Sequence, residues 1–366
     1  MRRLLAVAAL VLVASRAAAD ADQAQAWFKA GRYLEAAAEY QSLVERSPGW
    51  HYGWFMLGHC LLKMDRPADA EPAFRRALAI SGEKAEYYYG LAAALRDGGR
   101  PGPAIEVLSI AEPFAREAKA RYAIFYLRGT LLAAVERWSE AVIDLERARA
   151  LHPDPAVLDQ LGRAYAALGR WDRAASILAE SLVRDPDNEE NRRLRIDALL
   201  RLGAGAVDEA AKRAAYAEAF EQAQIHARAH PEDTEAANLL GRAAMGAGRY
   251  EVAEQALRRV LEMNPRYCPA TINLGRVLLA RAELERAIEA LQRGVECAPR
   301  LPAAHEALGL ALLRVGRFQD ALAVFGRAQA LHPSPVSQAG IDEARRRLGA
   351  SDPNLRTVDG PPAPRR

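Results

Sequence analysis

Apolar side chains recur along this chain every three or four residues, in short runs separated by polar ones. Trp54, Leu57, Gly58 and Leu61 make one such run, and Ala70, Phe74 and Ala77 make the next. That period places each run on one face of an α-helix, so the pattern predicts paired amphipathic helices. Between the two stripes of a pair stands a glycine in six cases: Gly31, Gly99, Gly169, Gly203, Gly248 and Gly316. Glycine suits the left-handed residue just past a helix C-terminus, because it has no Cβ to clash. A proline closes most pairs; it cannot continue a helix, since it lacks the N–H and collides with the preceding turn. One helical hairpin cannot bury both stripes, so neighbouring hairpins must stack.

A single alanine gives the spacing. Ala36, Ala70, Ala104, Ala141, Ala174, Ala219, Ala253, Ala287 and Ala321 follow one another at intervals of 34, 34, 37, 33, 45, 34, 34 and 34 residues. Three residues before each stands a mostly aromatic position, including Tyr33, Trp138, Trp171, Tyr216, Tyr250 and Phe318. Twelve residues after seven of them comes proline, from Pro48 to Pro333, with Gly82 and Arg116 as the exceptions. Upstream recur the pairs Leu57-Gly58, Leu161-Gly162, Leu240-Gly241, Leu274-Gly275 and Leu308-Gly309. Small residues such as Gly162 and Ala174 are expected where two helices approach closely, with Tyr165 and Trp171 filling the space around them.

This period and these positions resemble the tetratricopeptide repeat family. The resemblance implies an all-α fold, a right-handed α-solenoid of about nine helix hairpins over residues 17 to 335. Units are expected near 17–50, 51–84, 85–121, 122–154, 155–188, 189–233, 234–267, 268–301 and 302–335. A polar helix over 336–350 would cap the last apolar face. The final residues, 351–366, are rich in Pro, Gly and charge and read as disordered. Two spacings depart from the rule. Eleven extra residues between Gly203 and Tyr216 amount to about three helical turns, so Val207 to His230 is expected as one lengthened second helix protruding beyond its neighbours. The alternative is a loop or a short extra helix, with a break near Ala214. Three extra residues around Lys119 to Arg121 are expected to bend the stack locally.

The N-terminus changes the picture of location. Basic Arg2 and Arg3, an apolar run from Leu4 to Ala14, and small Ala17, Ala18 and Ala19 read as a secretory signal peptide over 1–19. The run is short of the roughly 20 residues that span a bilayer. A periplasmic or secreted bacterial protein follows, without membrane insertion after cleavage; an uncleaved inner-membrane anchor facing the periplasm is the alternative. The chain carries a formal charge of +3, and cleavage would remove Arg2, Arg3 and Arg16 to leave it neutral. A neutral chain argues against nucleic acid as a partner.

Candidate chemistry is sparse. The sequence shows no Gly-rich phosphate loop, G-x-S-x-G elbow, HExxH or CxxC pair. His226 and His230, one turn apart and followed by Glu232 and Asp233, are the best metal candidate. His152 and His332 occupy the same slot before a unit-ending proline as His230, which gives that slot a structural reading. Two histidines fall short of a zinc ligand set, so no metal and no cofactor are expected, and an enzymatic activity at the inserted helix is the minority reading. Cys60 reads as a small core residue. By its repeat position Cys268 opens a first helix and Cys297 follows the last turn of the second, which puts both at one end of a hairpin. They form a disulfide, favoured by an oxidising compartment, or they are ordinary helix-end residues with Cα atoms beyond the ~7 Å limit.

In this family the first helices line a concave groove. The resemblance assigns to it Tyr52, Phe55, His59, Tyr89 and Tyr126 from the N-terminal units. Further along it assigns Asp159 with Arg163, Arg193 with Asp197, Asn238 with Arg242, and Asn273 with Arg276. Tyr52, Phe55 and His59 share a helix face. The triplet Leu-Gly-Arg ends at Arg163, Arg242 and Arg276, repeating a guanidinium that can grip carboxylate in a fork. The faces that carry a Lys and Asn carboxylate clamp in one branch of the family hold Phe55, His59 and Tyr89 here, so that activity is not expected. The chain is expected to be a non-catalytic protein-interaction scaffold of the cell envelope. Its ligand would be a peptide or protein segment, apolar at the tyrosine end and acidic at the arginine end. The alternative is a membrane-anchored accessory subunit of a secretion, outer-membrane assembly or polysaccharide export complex.

Overall fold

The computed structural model describes residues 19–351. The segment read as a signal peptide and the tail from 352 onward lie outside these residues. Among the described residues every regular element is helical. The chain divides into two compact units, Met1–Pro186 and Asp187–Arg366. The first holds α1 (described from 19 to 29), α2 (Tyr33–Arg46), α3 (His51–Lys63), α4 (Pro67–Ile80), α5 (Ala85–Asp97), α6 (Pro101–Ala111), α7 (Ala118–Ala134), α8 (Trp138–Leu151), α9 (Pro155–Ala167) and α10 (Trp171–Arg184). The second holds α11 (Glu189–Gly205), α12 (Glu209–Ala229), α13 (Thr234–Gly246), α14 (Tyr250–Met263), α15 (Cys268–Ala280), α16 (Leu284–Cys297), α17 (Pro302–Arg314), α18 (Phe318–Leu331) and α19 (Pro335–Ser351).

Helices pair as hairpins; within each unit each hairpin packs on the next and the first helices also pack on one another: α3 on α5 and α5 on α7, then α11 on α13 and α13 on α15. This is an all-α solenoid. The nine alanines of the ruler are all fully buried, from Ala36 to Ala321. The first-helix glycines explain the recurring Leu-Gly pair. A Cβ on Gly162 would lie 2.6 Å from Leu178 Cδ2, on Gly241 2.7 Å from Leu257 Cδ2, and on Gly275 2.5 Å from Leu291 Cγ. In each hairpin the glycine faces the large residue sixteen positions later, so the missing side chain lets the second helix approach. Phe74 goes further, lying against Gly58 of its own hairpin and Gly90 of the next.

The turn inside every hairpin but α11–α12 is a Schellman motif. In α5, Gly99 N–H donates to Arg96 O at 2.9 Å and Arg100 N–H to Leu95 O at 2.8 Å, with Gly99 at φ +71°. Where glycine is absent, Asp65, Glu136 and Ala282 take the same left-handed conformation at φ 57°, 60° and 61°. Gly203 is the exception to the predicted turn glycines. It lies inside α11, buried, where an added Cβ would meet the Tyr216 ring at 2.9 Å. The reason is the insertion. Helix α11 has 17 residues against the 13 of α13, and α12 has 21 against the 14 of α14. Those four and seven extra residues account for all eleven, so both helices of the hairpin lengthen and the turn moves to 206–208. Helix α12 runs without a break at Ala214, and its first turns are largely exposed.

The three extra residues near Lys119 enter a 17-residue α7, preceded by a 3₁₀ turn at Glu112–Phe114. A buried ion pair fixes this irregular hairpin. Arg128 is 7% exposed and Asp144 4% exposed. The guanidinium donates through Nε to Asp144 Oδ2 at 2.6 Å and through Nη2 to Oδ1 at 2.9 Å, and reaches Glu112 Oε2 at 2.7 Å. Three carboxylate contacts favour the charged guanidinium and offset its burial. At the C-terminal end, α19 packs on α17 and α18 and buries Ile341 and Ala344.

Candidate functional site

In the first unit the structure gathers the aromatic residues. Helix α3 carries Tyr52, Phe55 and His59 on one face; ring centroids lie 6.2 Å apart for Tyr52 and Phe55 and 4.4 Å for Phe55 and His59. Tyr87 of α5 stacks on Phe55 at 4.6 Å and places its hydroxyl 2.6 Å from His51 Nδ1. Phe74 closes the cluster from α4, 5.3 Å from His59. Tyr52 remains exposed, while Phe55 and His59 are half-buried. Burial, with a smaller push from the Lys63 ammonium, lowers the His59 pKa to about 4, so the imidazole is neutral at pH 7. Burial likewise pushes the Tyr87 hydroxyl up to about 12.

A second group follows on α5 and α7. Tyr122 and Tyr126 stack with centroids 6.0 Å apart. Burial first, then the Asp154 and Asp159 carboxylates and neighbouring Tyr89, raise the Tyr126 pKa. Tyr89 is half-buried and lines a cavity of 530 Å³ whose other walls include Phe114, Ile124, Glu86, Arg116 and Lys119. The extra residues near Lys119 build one side of it. Arg163 is exposed on α9, one turn after Asp159, whose Oδ1 accepts from Ser181 Oγ at 2.7 Å.

The second unit carries the polar candidates. Arg193 is exposed on α11. Asp197 binds both Arg201, at 2.8 Å, and Arg242 of α13, at 3.4 Å. Arg276 is exposed on α15 and Asn273 half-buried. Asn238 departs from its assignment to an open groove. It is 4% exposed, and its Nδ2 donates to Tyr267 Oη at 3.5 Å. The loop before α15 brings Tyr267 over it, where that hydroxyl donates to Glu235. Cys268 and Cys297 are joined as a disulfide, with Cα atoms 5.6 Å apart. Cys60 is a free, buried thiol whose pKa burial pushes up to about 12.

Two contributors escaped the sequence reading. Tyr87 sits two positions before Tyr89 in a run of three tyrosines, and only the packing of α5 on α3 shows which one stacks on Phe55. Tyr122 lies one helical turn before Tyr126, a spacing that places both on one face. What these surfaces offer is stacking, hydroxyl hydrogen bonds and charge pairing.

Among the described residues no helix is long and apolar enough to cross a membrane. Family models described as "Tetratricopeptide repeat" match residues 55–120, 155–198, 205–268, 238–302 and 272–335. Among curated proteins, the chain is 28% identical over 124 residues to the "Cytochrome c-type biogenesis protein CycH" of Pseudomonas aeruginosa. That match spans 33% of this chain and 30% of the relative. Among solved structures, a tetratricopeptide repeat protein from Parabacteroides merdae aligns with a TM-score of 0.51 and 16% identity, covering 71% of this chain and 98% of its own. The C-terminal part of a TPR repeat-containing protein from Cytophaga hutchinsonii aligns with a TM-score of 0.54 and 17% identity, covering 69% and 99%. The alanine ruler, the glycine-mediated helix approaches and these matches agree: this chain belongs to the tetratricopeptide repeat family, whose stacked hairpins form a scaffold for protein interactions.

Proposed function

We propose that the protein is a non-catalytic interaction scaffold of the bacterial cell envelope that holds an extended peptide or protein segment along its first-helix faces. The observation that carries this reading is the aromatic face of Tyr52, Phe55 and His59 on α3, backed by the buried Tyr87 of the next hairpin and solvent-accessible at Tyr52. Aromatic side chains that are paired with one another and still open on one side suit apolar or aromatic groups of a ligand. The neighbouring 530 Å³ cavity at Tyr89 accommodates one larger side chain. Arg163, Arg193, Arg242 and Arg276 supply the guanidiniums for acidic side chains elsewhere on the ligand. The signal-like first 19 residues and the disulfide support placement in an oxidising compartment.

The similarity to a cytochrome c-type biogenesis protein favours a second reading, an accessory subunit of an envelope assembly complex, held at the inner membrane by an uncleaved N-terminus. Sequencing the N-terminus of the protein from membrane and soluble fractions separates the two readings.

The groove is tested with a photo-crosslinking residue in place of Tyr52 or Arg193, compared with the outward second-helix positions Ile143 and Val183. Polypeptide adducts are expected from the first pair only, and adducts confined to Ile143 and Val183 would sink the groove reading. Loss of the partner in the Arg163→Glu/Arg242→Glu/Arg276→Glu triple variant, with helicity intact, is the expected sign of an acidic ligand. An undiminished complex removes the arginines from the site.

A further inference from the structure

We propose that Glu189, His226 and His230 form a binding site for one divalent transition-metal ion, with Zn²⁺ as its reference occupant. Two histidines alone made a poor ligand set; the fold supplies the third member. Glu189 opens α11 and is carried against the last turn of α12, where its Oε2 lies 2.7 Å from His226 Nδ1 and 3.6 Å from His230 Nε2. One ligand atom from each of the three lies within 4.8 Å of the others. Tetrahedral zinc with bonds of about 2.1 Å holds its ligand atoms about 3.4 Å apart, so small side-chain rotations close the set.

The surroundings fit the role. Glu189 Oε1 accepts from Arg192 Nε at 3.3 Å, which orients the carboxylate and leaves Oε2 facing the imidazoles. His226 is 4% exposed, and Nε2 of both histidines is buried without a hydrogen bond. A lone pair buried in that state is costly, and a metal at the cluster would engage the one on His230. His230 also lines a cavity of 240 Å³ beside Pro231 and Leu240, which gives an ion a way in and leaves room for a fourth ligand from water or a partner. Two imidazoles and one carboxylate suit Zn²⁺, Ni²⁺ or Cu²⁺ rather than Ca²⁺ or Mg²⁺. The repeat provides its own control. His152 and His332 stand in the same pre-proline slot, but one turn before them are Ala148 and Ala328 where this unit has His226.

The test is equilibrium dialysis of the chelator-treated full chain against Zn²⁺, with Co²⁺ absorption as a second readout of coordination. Because His226 is buried, the variants are His230→Gln and Glu189→Gln, with His332→Gln as control and circular dichroism as the check on folding. One equivalent is expected in the wild type and His332→Gln, with at least tenfold weaker binding in both site variants. No retained Zn²⁺ in the wild type, or equal affinity in wild type and His230→Gln, would overturn the proposal.

Discussion

Replacing Arg128 by leucine tests how the irregular third-to-fourth hairpin region is held. The substitution leaves the Asp144 carboxylate 4% exposed, with Arg147 Nη1 at 3.7 Å as its nearest remaining cation. Two bonds of 2.6 and 2.9 Å are lost, together with the guanidinium that spans α8 and the Glu112 turn. Breaking such a pair from one side costs about 3–5 kcal/mol, most of it the uncompensated buried charge. Asp144→Leu is milder, about 1.5–3 kcal/mol, because Arg128 keeps Glu112 at 2.7 Å and Ser109 Oγ at 3.3 Å. The double variant removes both charges and is expected to lose less than the sum, by at least about 1.5 kcal/mol. A repeat array need not unfold in one step, so the assay is hydrogen exchange read on peptides from α6 to α8 beside urea unfolding. A loss under about 1 kcal/mol for Arg128→Leu, or strict additivity in the double variant, refutes the argument that the pair holds this segment.

Gly162→Ala would set a Cβ 2.6 Å from Leu178 Cδ2, and is expected to cost about 1–3 kcal/mol in urea unfolding, with partial recovery when Leu178→Ala is added. Ala282→Gly relieves a left-handed residue at φ 61° and should stabilise by up to about 1 kcal/mol, whereas Ala287→Gly in the buried interior of α16 should destabilise. His59 has its pKa lowered to about 4, mainly by burial, so between that value and the ordinary 6.5 the unfolded chain binds more protons than the folded one. Its contribution, at most about 3 kcal/mol, is complete above pH 6.5 and is lost as pH falls toward 4; stability curves of the wild type and His59→Leu that run parallel over this window would dismiss it. Reducing the Cys268–Cys297 bridge, which closes a 29-residue separation, should cost about 3.5 kcal/mol, and alkylation of the unreduced unfolded chain should label Cys60 alone.

The fold was legible because a repeat states its packing rule many times over. Ala36 through Ala321 mark positions that tolerate nothing larger, and Leu-Gly marks the residue that admits its partner sixteen places on. That offset holds for Gly162 with Leu178 and for Gly58 with Phe74, and Arg128 with Asp144 keeps it too. Here the register brought two charges together, and without the register neither residue stands out among the many surface charges. Gly203 misled for the converse reason. Its neighbours read as a turn, but an insertion of whole helical turns moved the turn on and left the glycine as a contact for Tyr216. Asn238 was assigned to an open face by its own helix, whereas a loop from the next hairpin decides its exposure.

The Glu189 cluster shows how far such a rule reaches. In the first hairpin, Asp20 near the start of α1 pairs with Arg46 at the end of α2, 26 residues away. Glu189 and His226 are 37 apart. The insertion is divided, four residues in α11 and seven in α12, close to one turn and two turns, so each helix keeps its face. The inserted length therefore leaves the far end of the hairpin in the register of an ordinary unit, and a first-turn acid still meets a last-turn base. What distinguishes this unit is the chemistry at that end: His226, at the place after Ala219 that Leu43 holds after Ala36, and a second histidine a turn later. An ion pair elsewhere in the array becomes here a carboxylate facing two imidazoles. A ligand set of this kind is visible only when the hairpin register is applied to side chains that each look ordinary alone.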